Sequence, residues 1–235
     1  APPPRGGGPY GMAFGLGAVA VGQGSGAFND ATTAVGQGAM AFGLGDTAIG
    51  NLAYVETTLG AGTALGTLSE VHADGGTALG AEAYVGYSGY GATAVGRSAT
   101  ADGEAAVAVG AFSYAIGDGA TALGGRFDIG TYLGTGTSYL ETTAFGTGAT
   151  ALGAAALALE EMGTAVGTWA EADAAGDTAL GAFAWADGET STALGFGSEA
   201  HGYNSVALGA GSIADRENTV SVGDVGSERQ ITHVA

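Results

Sequence analysis

Cysteine is absent from the 235-residue chain, so no disulfide and no thiolate nucleophile or ligand operates in it. Lysine is absent as well. The bases are Arg5, Arg97, Arg126, Arg216 and Arg229, set against 23 acids, for a formal net charge of −18. That balance excludes nucleic-acid binding, which needs clustered Lys and Arg against phosphates, and docking on an anionic membrane surface. Without lysine there is no Walker phosphate loop. Bulky aromatics are few, with two Trp, nine Tyr and eight Phe, and charged residues make up only 12%. No run approaches the roughly 20 apolar residues of a membrane span, and no basic-then-apolar leader opens the sequence. Residues 1–11, APPPRGGGPYG, read as a linker or boundary segment of a longer molecule.

Glycine is abundant instead: 48 residues, about a fifth of the chain. It lacks the Gly-X-Y spacing of collagen, and 46% apolar residues is too many for a disordered chain. A repetitive architecture of small residues remains. The unit is Thr-Ala-(Leu/Val)-Gly and its relatives, whose glycine recurs at Gly153, Gly167, Gly181, Gly195, Gly209 and Gly223, each fourteen after the last. The upstream series Gly22, Gly36, Gly50, Gly66, Gly80, Gly96, Gly110 and Gly124 keeps the step, with two intervals of sixteen. Half-steps of seven also occur, as from Gly36 to Gly43.

A heptad coiled coil is excluded, because each seven-residue unit carries glycine at about 1 kcal/mol apiece in a helix. Alternation within the unit has a period of two, as in Ala182-Phe183-Ala184-Trp185-Ala186 and Thr168-Trp169-Ala170-Glu171-Ala172-Asp173. Fourteen residues therefore make one coil of two short strands in an all-β solenoid. The first strand, as in Thr178-Ala179-Leu180, is apolar on both faces and is expected to be buried on both. The second is expected over Ala182–Ala186, with Ala inward and variable residues outward. Coils stack and share backbone hydrogen bonds. The first strand would leave one apolar stripe along the stack, which self-association would cover. The order of symmetry, and whether Ala or Leu faces the axis, stay open.

Chemistry is sparse. His72, His201 and His233 are distant in repeat position, and the first two read as solvated surface histidines rather than metal ligands. Gly6–Gly11 formally matches G-x-G-x-x-G, but no strand precedes it and Pro9 blocks a helix start. Glu160-Glu161 is an adjacent acidic pair whose members point to opposite faces, unlike a glycosidase pair. The outward residues Phe183, Trp185, Trp169, Glu171, Glu199 and His201 lack the threonine regularity of an ice-binding ladder. No catalytic, cofactor or metal site is expected, and the chain is not read as an enzyme.

The unit T-A-L-G-x-x-A-x-A-x-G resembles the head repeat of YadA-like trimeric autotransporter adhesins over residues 12–215. The closing segment, with S-V-G-x-x-G-x-E-R-Q-I-T-x-V-A, resembles the neck of such proteins over residues 216–235. The resemblance implies a left-handed parallel β-roll (a β-solenoid), homotrimeric, secreted and carried at the bacterial cell surface outside the outer membrane. It implies attachment to host extracellular matrix, cells or surfaces, a role in virulence, and neck contacts between chains at Arg216, Glu228 and Arg229. The competing reading is a structural spacer or fibre segment with no ligand of its own. Specificity is sought where the fourteen-residue step breaks. The insertion at 125–143 holds Arg126, Phe127, Tyr132 and Tyr139, and the stretch 83–91 holds Tyr84, Tyr87 and Tyr90. Arg and aromatics are the residues that most often anchor interfaces.

Overall fold

The computed structural model describes residues 10–233. Residues 1–9 of the expected linker and the last two of the expected neck, Val234 and Ala235, lie outside the described residues. The chain divides into two compact units, residues 1–119 and 120–235. Each is a parallel β-solenoid of two facing sheets, one of three-residue strands and one of two-residue strands. Among the described residues no helix is long and apolar enough to cross a membrane.

The fourteen-residue step becomes the stacking register. Thr164, Thr178 and Thr192 are partners on successive parallel strands, as are Ala165, Ala179 and Ala193, and Val166, Leu180 and Leu194. Between the strands, backbone bonds such as Trp185 N–H to Ser198 O (2.8 Å) tie each coil to the next. Alanine fills the interior: Ala165, Ala172, Ala179, Ala184, Ala186 and Ala193 are all fully buried. The side chains of each Thr-Ala-Leu strand thus divide, with Ala inside and Thr and Leu outside. Expected burial of both faces is not met within one chain, since Leu180 remains 43% exposed.

The second strand is shorter than its alternation suggests. Only Trp185–Ala186 is a strand. Ala182 and Phe183 form the preceding turn, and Phe183 sits in the left-handed region at φ 59°. Trp169 does the same at φ 50°. A flat ring of peptide must turn twice in fourteen residues, and each turn consumes a left-handed residue that alternation alone does not reveal.

The glycine of Thr-Ala-Leu-Gly is required on two grounds. Gly181 has φ 144°, which L side chains rarely adopt, and a Cβ there would stand 2.3 Å from the Gly195 carbonyl oxygen of the next coil. Elsewhere glycine compensates for volume. In the first unit Val55, Val71 and Val85 replace the inward alanine and are fully buried. A Cβ on Gly62 would lie 2.6 Å from Val55 Cγ1, on Gly76 2.9 Å from both Val71 and Val85, and on Gly89 2.8 Å from Val85. A larger residue on one wall is matched by a smaller one opposite, as close packing demands.

The long intervals are absorbed outside the sheets. Between Gly50 and Gly66 the excess lies in the loop after Val55, where Asp74 Oδ1 accepts from the N–H groups of Thr58 and Leu59, both at 2.8 Å. Asp46 is buried beneath that loop, accepting from Gly43 N–H (2.7 Å), Thr57 Oγ1 (2.7 Å) and Gly62 N–H (2.9 Å). In the second unit the insertion is a folded excursion. Phe127–Asp128 pairs antiparallel with Tyr139–Leu140 around a helical turn, Ile129–Leu133. Asp128 accepts from Thr131 Oγ1 at 2.6 Å and caps that turn by accepting from Thr131 N–H at 3.0 Å, and these bonds hold its carboxyl below the usual value.

Three substitutions check this account in thermal and denaturant unfolding. Ala184→Leu overpacks the interior and costs about 1–3 kcal/mol. Gly181→Ala costs about 3 kcal/mol through strain and contact with the next coil. Ala105→Gly has the opposite sign. Ala105 is exposed at φ 54°, in a position that Gly91 and Gly119 occupy in the flanking coils, and the change stabilises by about 0.5–1 kcal/mol.

Candidate functional site

Outward positions on the short-strand sheet carry the large side chains, and stacking brings them together at intervals of one coil. In the first unit they form a ladder of rings. Phe14, Phe28 and Phe42 stack with centroids 5.7 and 4.7 Å apart, followed by Tyr54 at 5.4 Å and His72 at 5.6 Å. His72 then meets Tyr84 at 5.6 Å and Tyr87 at 4.5 Å. Its side chain is only 9% exposed, with Nε2 3.4 Å from Glu70, so it is a covered ring and not the solvated histidine expected. Of the three tyrosines sought in this segment, Tyr84 and Tyr87 join the ladder. Tyr90 is 55% exposed.

The second unit brings two acids and three aromatic rings into one cleft. On successive strands Glu171, Trp185 and Glu199 are direct partners. The turn residues of the same coils add Trp169 and Phe183, whose rings meet edge-on at 5.6 Å. Trp169, Glu171, Phe183, Ala184, Trp185 and Glu199 line an open cleft of about 180 Å³. The indoles are oriented by carboxylates: Trp169 Nε1 donates to Glu171, and Trp185 Nε1 donates to Asp173 Oδ2 at 2.9 Å. His201 stands edge-on to Trp185 at 5.0 Å and bridges Asp187 (2.7 Å) and Glu199 (3.2 Å). It too is a paired group and not a solvated one.

The insertion joins this face. Arg126 lies over the Tyr139 ring at 4.2 Å, Phe127 meets Tyr132 at 6.1 Å, and Tyr132 stacks on Phe183 at 5.2 Å. The four insertion residues singled out in the sequence therefore form two pairs, Arg126 with Tyr139 and Phe127 with Tyr132, and Tyr132 links its pair to the cleft. Trp169, Glu171, Phe183, Trp185 and Glu199 were read only as irregular outward residues. The fourteen-residue step was the signal that could have placed Glu171, Trp185 and Glu199 side by side.

At the other end, Arg229 donates from Nη1 to Ser212 Oγ (2.8 Å) and Val222 O (2.9 Å), and from Nη2 to Ala210 O, closing the last coil of its own chain. Glu228 accepts from Gly226 N–H at 3.1 Å. Arg216 and Glu228 line a cleft of about 450 Å³ together with Asp215 and Asp224. Among the described residues, no group of three or more His, Cys, Asp or Glu is arranged to hold a metal ion.

Comparison with known proteins bears on the repeat. The sequence matches the family described as the YadA head domain repeat over residues 13–39, 29–53, 61–83, 88–113, 141–159, 161–184, 174–198, 186–212 and 200–224. Nothing among curated proteins matches the chain. Among solved structures it is similar to the collagen-binding domain of the Yersinia adhesin YadA, at 27% identity and a TM-score of 0.41, over 77% of this chain and 75% of that one.

Titration of the second unit has a definite sign. Asp177 is buried with its oxygens accepting from Ser191 N–H (2.7 Å) and Ala174 N–H (3.1 Å), and burial pushes its pKa up to about 6 from 3.8. For His201 burial acts against the charged form, but the hydrogen bonds with Asp187 and Glu199 outweigh it and raise its pKa. Both groups hold a proton more tightly folded than unfolded. Their contribution to stability is fully present below their unfolded values and is lost as pH rises through their folded ones. The melting temperature should therefore fall from about pH 4 to pH 6 as Asp177 loses its proton, and again above pH 6.5 as His201 does. Asp177→Asn should flatten the lower part of that slope and His201→Asn the upper part, read by calorimetry across the range. A melting temperature that climbs to pH 8 in the parent would contradict the assignment.

Proposed function

The chain belongs to the YadA head-repeat family, and from that membership we propose that it is the head of a homotrimer attaching a bacterium to host extracellular matrix, cells or surfaces. It is an adhesin-type repeat module and not an enzyme. Residues 12–215 form the head and 216–235 the neck. The trimer stands at the cell surface, outside the outer membrane, where attachment serves virulence.

The observation that carries the reading is the open apolar row on the three-residue strands. Leu65 and Leu79 in the first unit are each 41% exposed; Leu152, Leu180, Leu194 and Leu208 in the second are 37–43% exposed. A soluble monomer rarely keeps so regular a row in water. Packing that row between chains places Leu and Thr toward the axis and leaves Ala within each coil. The short-strand sheet, with its rings and acids, then faces outward in three copies, and weak contacts repeated in this way give avidity without a deep pocket. Arg216, Glu228 and Arg229 lie where one chain passes to its neighbour in the neck, and pairing there adds to the contacts made within each chain.

The faces around Arg126, Phe127, Tyr132 and Tyr139, and around Tyr84, Tyr87 and Tyr90, are the parts of the surface that depart from the repeat, and we assign ligand contact to them. Static light scattering on the purified chain should give three times the 22.4 kDa chain mass. Leu180→Asp or Leu194→Asp should give a single chain or an unfolded one. A one-chain mass for the parent sinks the trimer. Solid-phase binding to collagen, fibronectin and laminin tests attachment. Removing eight residues from 125–143, which restores the fourteen-residue step, should leave a folded trimer with weakened binding.

A further inference from the structure

Both tryptophans of the chain, Trp169 and Trp185, line the same cleft. Such convergence in a chain with two Trp in 235 residues points to a use for their faces. Their N–H edges are already occupied by Glu171 and Asp173, which leaves ring faces as the available recognition surface, and Trp185 is 38% exposed. Around these rings stand Glu171, Asp173, Asp187 and Glu199. Among the described residues, His201 is the basic side chain bonded to them.

Cations that could balance that charge from within are few. The chain has no lysine. Arg97 lies over Phe112 at 4.6 Å, Arg126 lies over Tyr139, and Arg229 is bound to Ser212 and the last coil. Burial raises the Glu171 carboxyl despite the bond from Trp169, and Asp173 keeps one buried oxygen, Oδ1, with no hydrogen-bond partner. An aromatic wall beside carboxylates, Glu171 part-buried and Glu199 41% exposed, favours a cation that can lie flat on a ring and donate hydrogen bonds from its edge.

We propose that the cleft formed by Trp169, Glu171, Phe183, Trp185 and Glu199 receives an arginine side chain from a basic segment of a partner protein. The guanidinium stacks on an indole and donates to Glu171 or Glu199. An arginine is favoured over a lysine because its planar fork serves stacking and paired donation together. The inference rests on the adhesive reading only for the source of the partner; the cleft chemistry stands by itself.

The two tryptophans make the cleft its own reporter. The full chain is titrated with the peptide Gly-Arg-Gly-Arg-Gly, blocked at both ends, and with the same peptide carrying citrulline, which has the shape of arginine without its charge. Indole emission should change with the arginine peptide and stay flat with citrulline. The arginine response should weaken at least fivefold between about 50 and 500 mM salt, as expected for exposed charges. The Glu171→Gln, Glu199→Gln double variant, checked for an unchanged melting transition, should lose affinity tenfold or more. An equal response to citrulline overturns the proposal, and the parent-only titration decides this even if the double variant fails to fold. A response to neutral maltohexaose with none to the arginine peptide also overturns it, in favour of a sugar platform. Binding of the parent to immobilised matrix proteins is scored separately, so a cleft that fails leaves the adhesive reading intact.

Discussion

Glycine carbonyls stacked one above another set the geometry on which everything else in this molecule depends. At Gly181 a side-chain carbon would stand within 2.3 Å of the next coil's carbonyl oxygen, so adjacent coils approach backbone to backbone. That approach allows each strand to hydrogen-bond to its counterpart fourteen residues on, and it fixes register without long strands. Strands of two and three residues would be worthless in isolation. Here each strand inside the two long sheets is held by a neighbour on either side.

Close stacking is matched by a narrow interior. Fully buried alanines line both walls, and where valine enters at Val55, Val71 and Val85 a glycine stands opposite. A core of methyl groups buries little area per coil. Stability therefore comes from repetition of hydrogen bonds and small contacts, and from whatever covers the outer Leu and Val row. The buried carboxylates Asp46 and Asp177 fit the same logic. Each sits at a turn and accepts two or more hydrogen bonds from within the stack.

Freedom is concentrated on the opposite face. Outward positions of the two-residue strands do not touch the interior, so their identity is free to vary from coil to coil. Stacking turns that variation into surfaces: a ring ladder from Phe14 to Tyr87 in one unit, and an aromatic and acidic cleft joined by Tyr132 in the other. Rows of like residues across parallel strands are close enough to stack, which explains why so few aromatics make so many ring contacts.

The period of fourteen, the two-strand coil, the inward alanines and the family resemblance could all be read from the chain, because each is a local pattern repeated many times. Repetition averages out the ambiguity of any single unit. The left-handed turns at Trp169 and Phe183 could not be read, since alternation looks the same whether a residue lies in a strand or at its bend. Nor could the burial of His72 and the pairing of His201, which depend on neighbours one coil away. The contact of Tyr132 with Phe183 lies furthest from the sequence. An insertion breaks the period that converts sequence distance into spatial distance, and only the folded hairpin of 127–140 settles where its side chains fall.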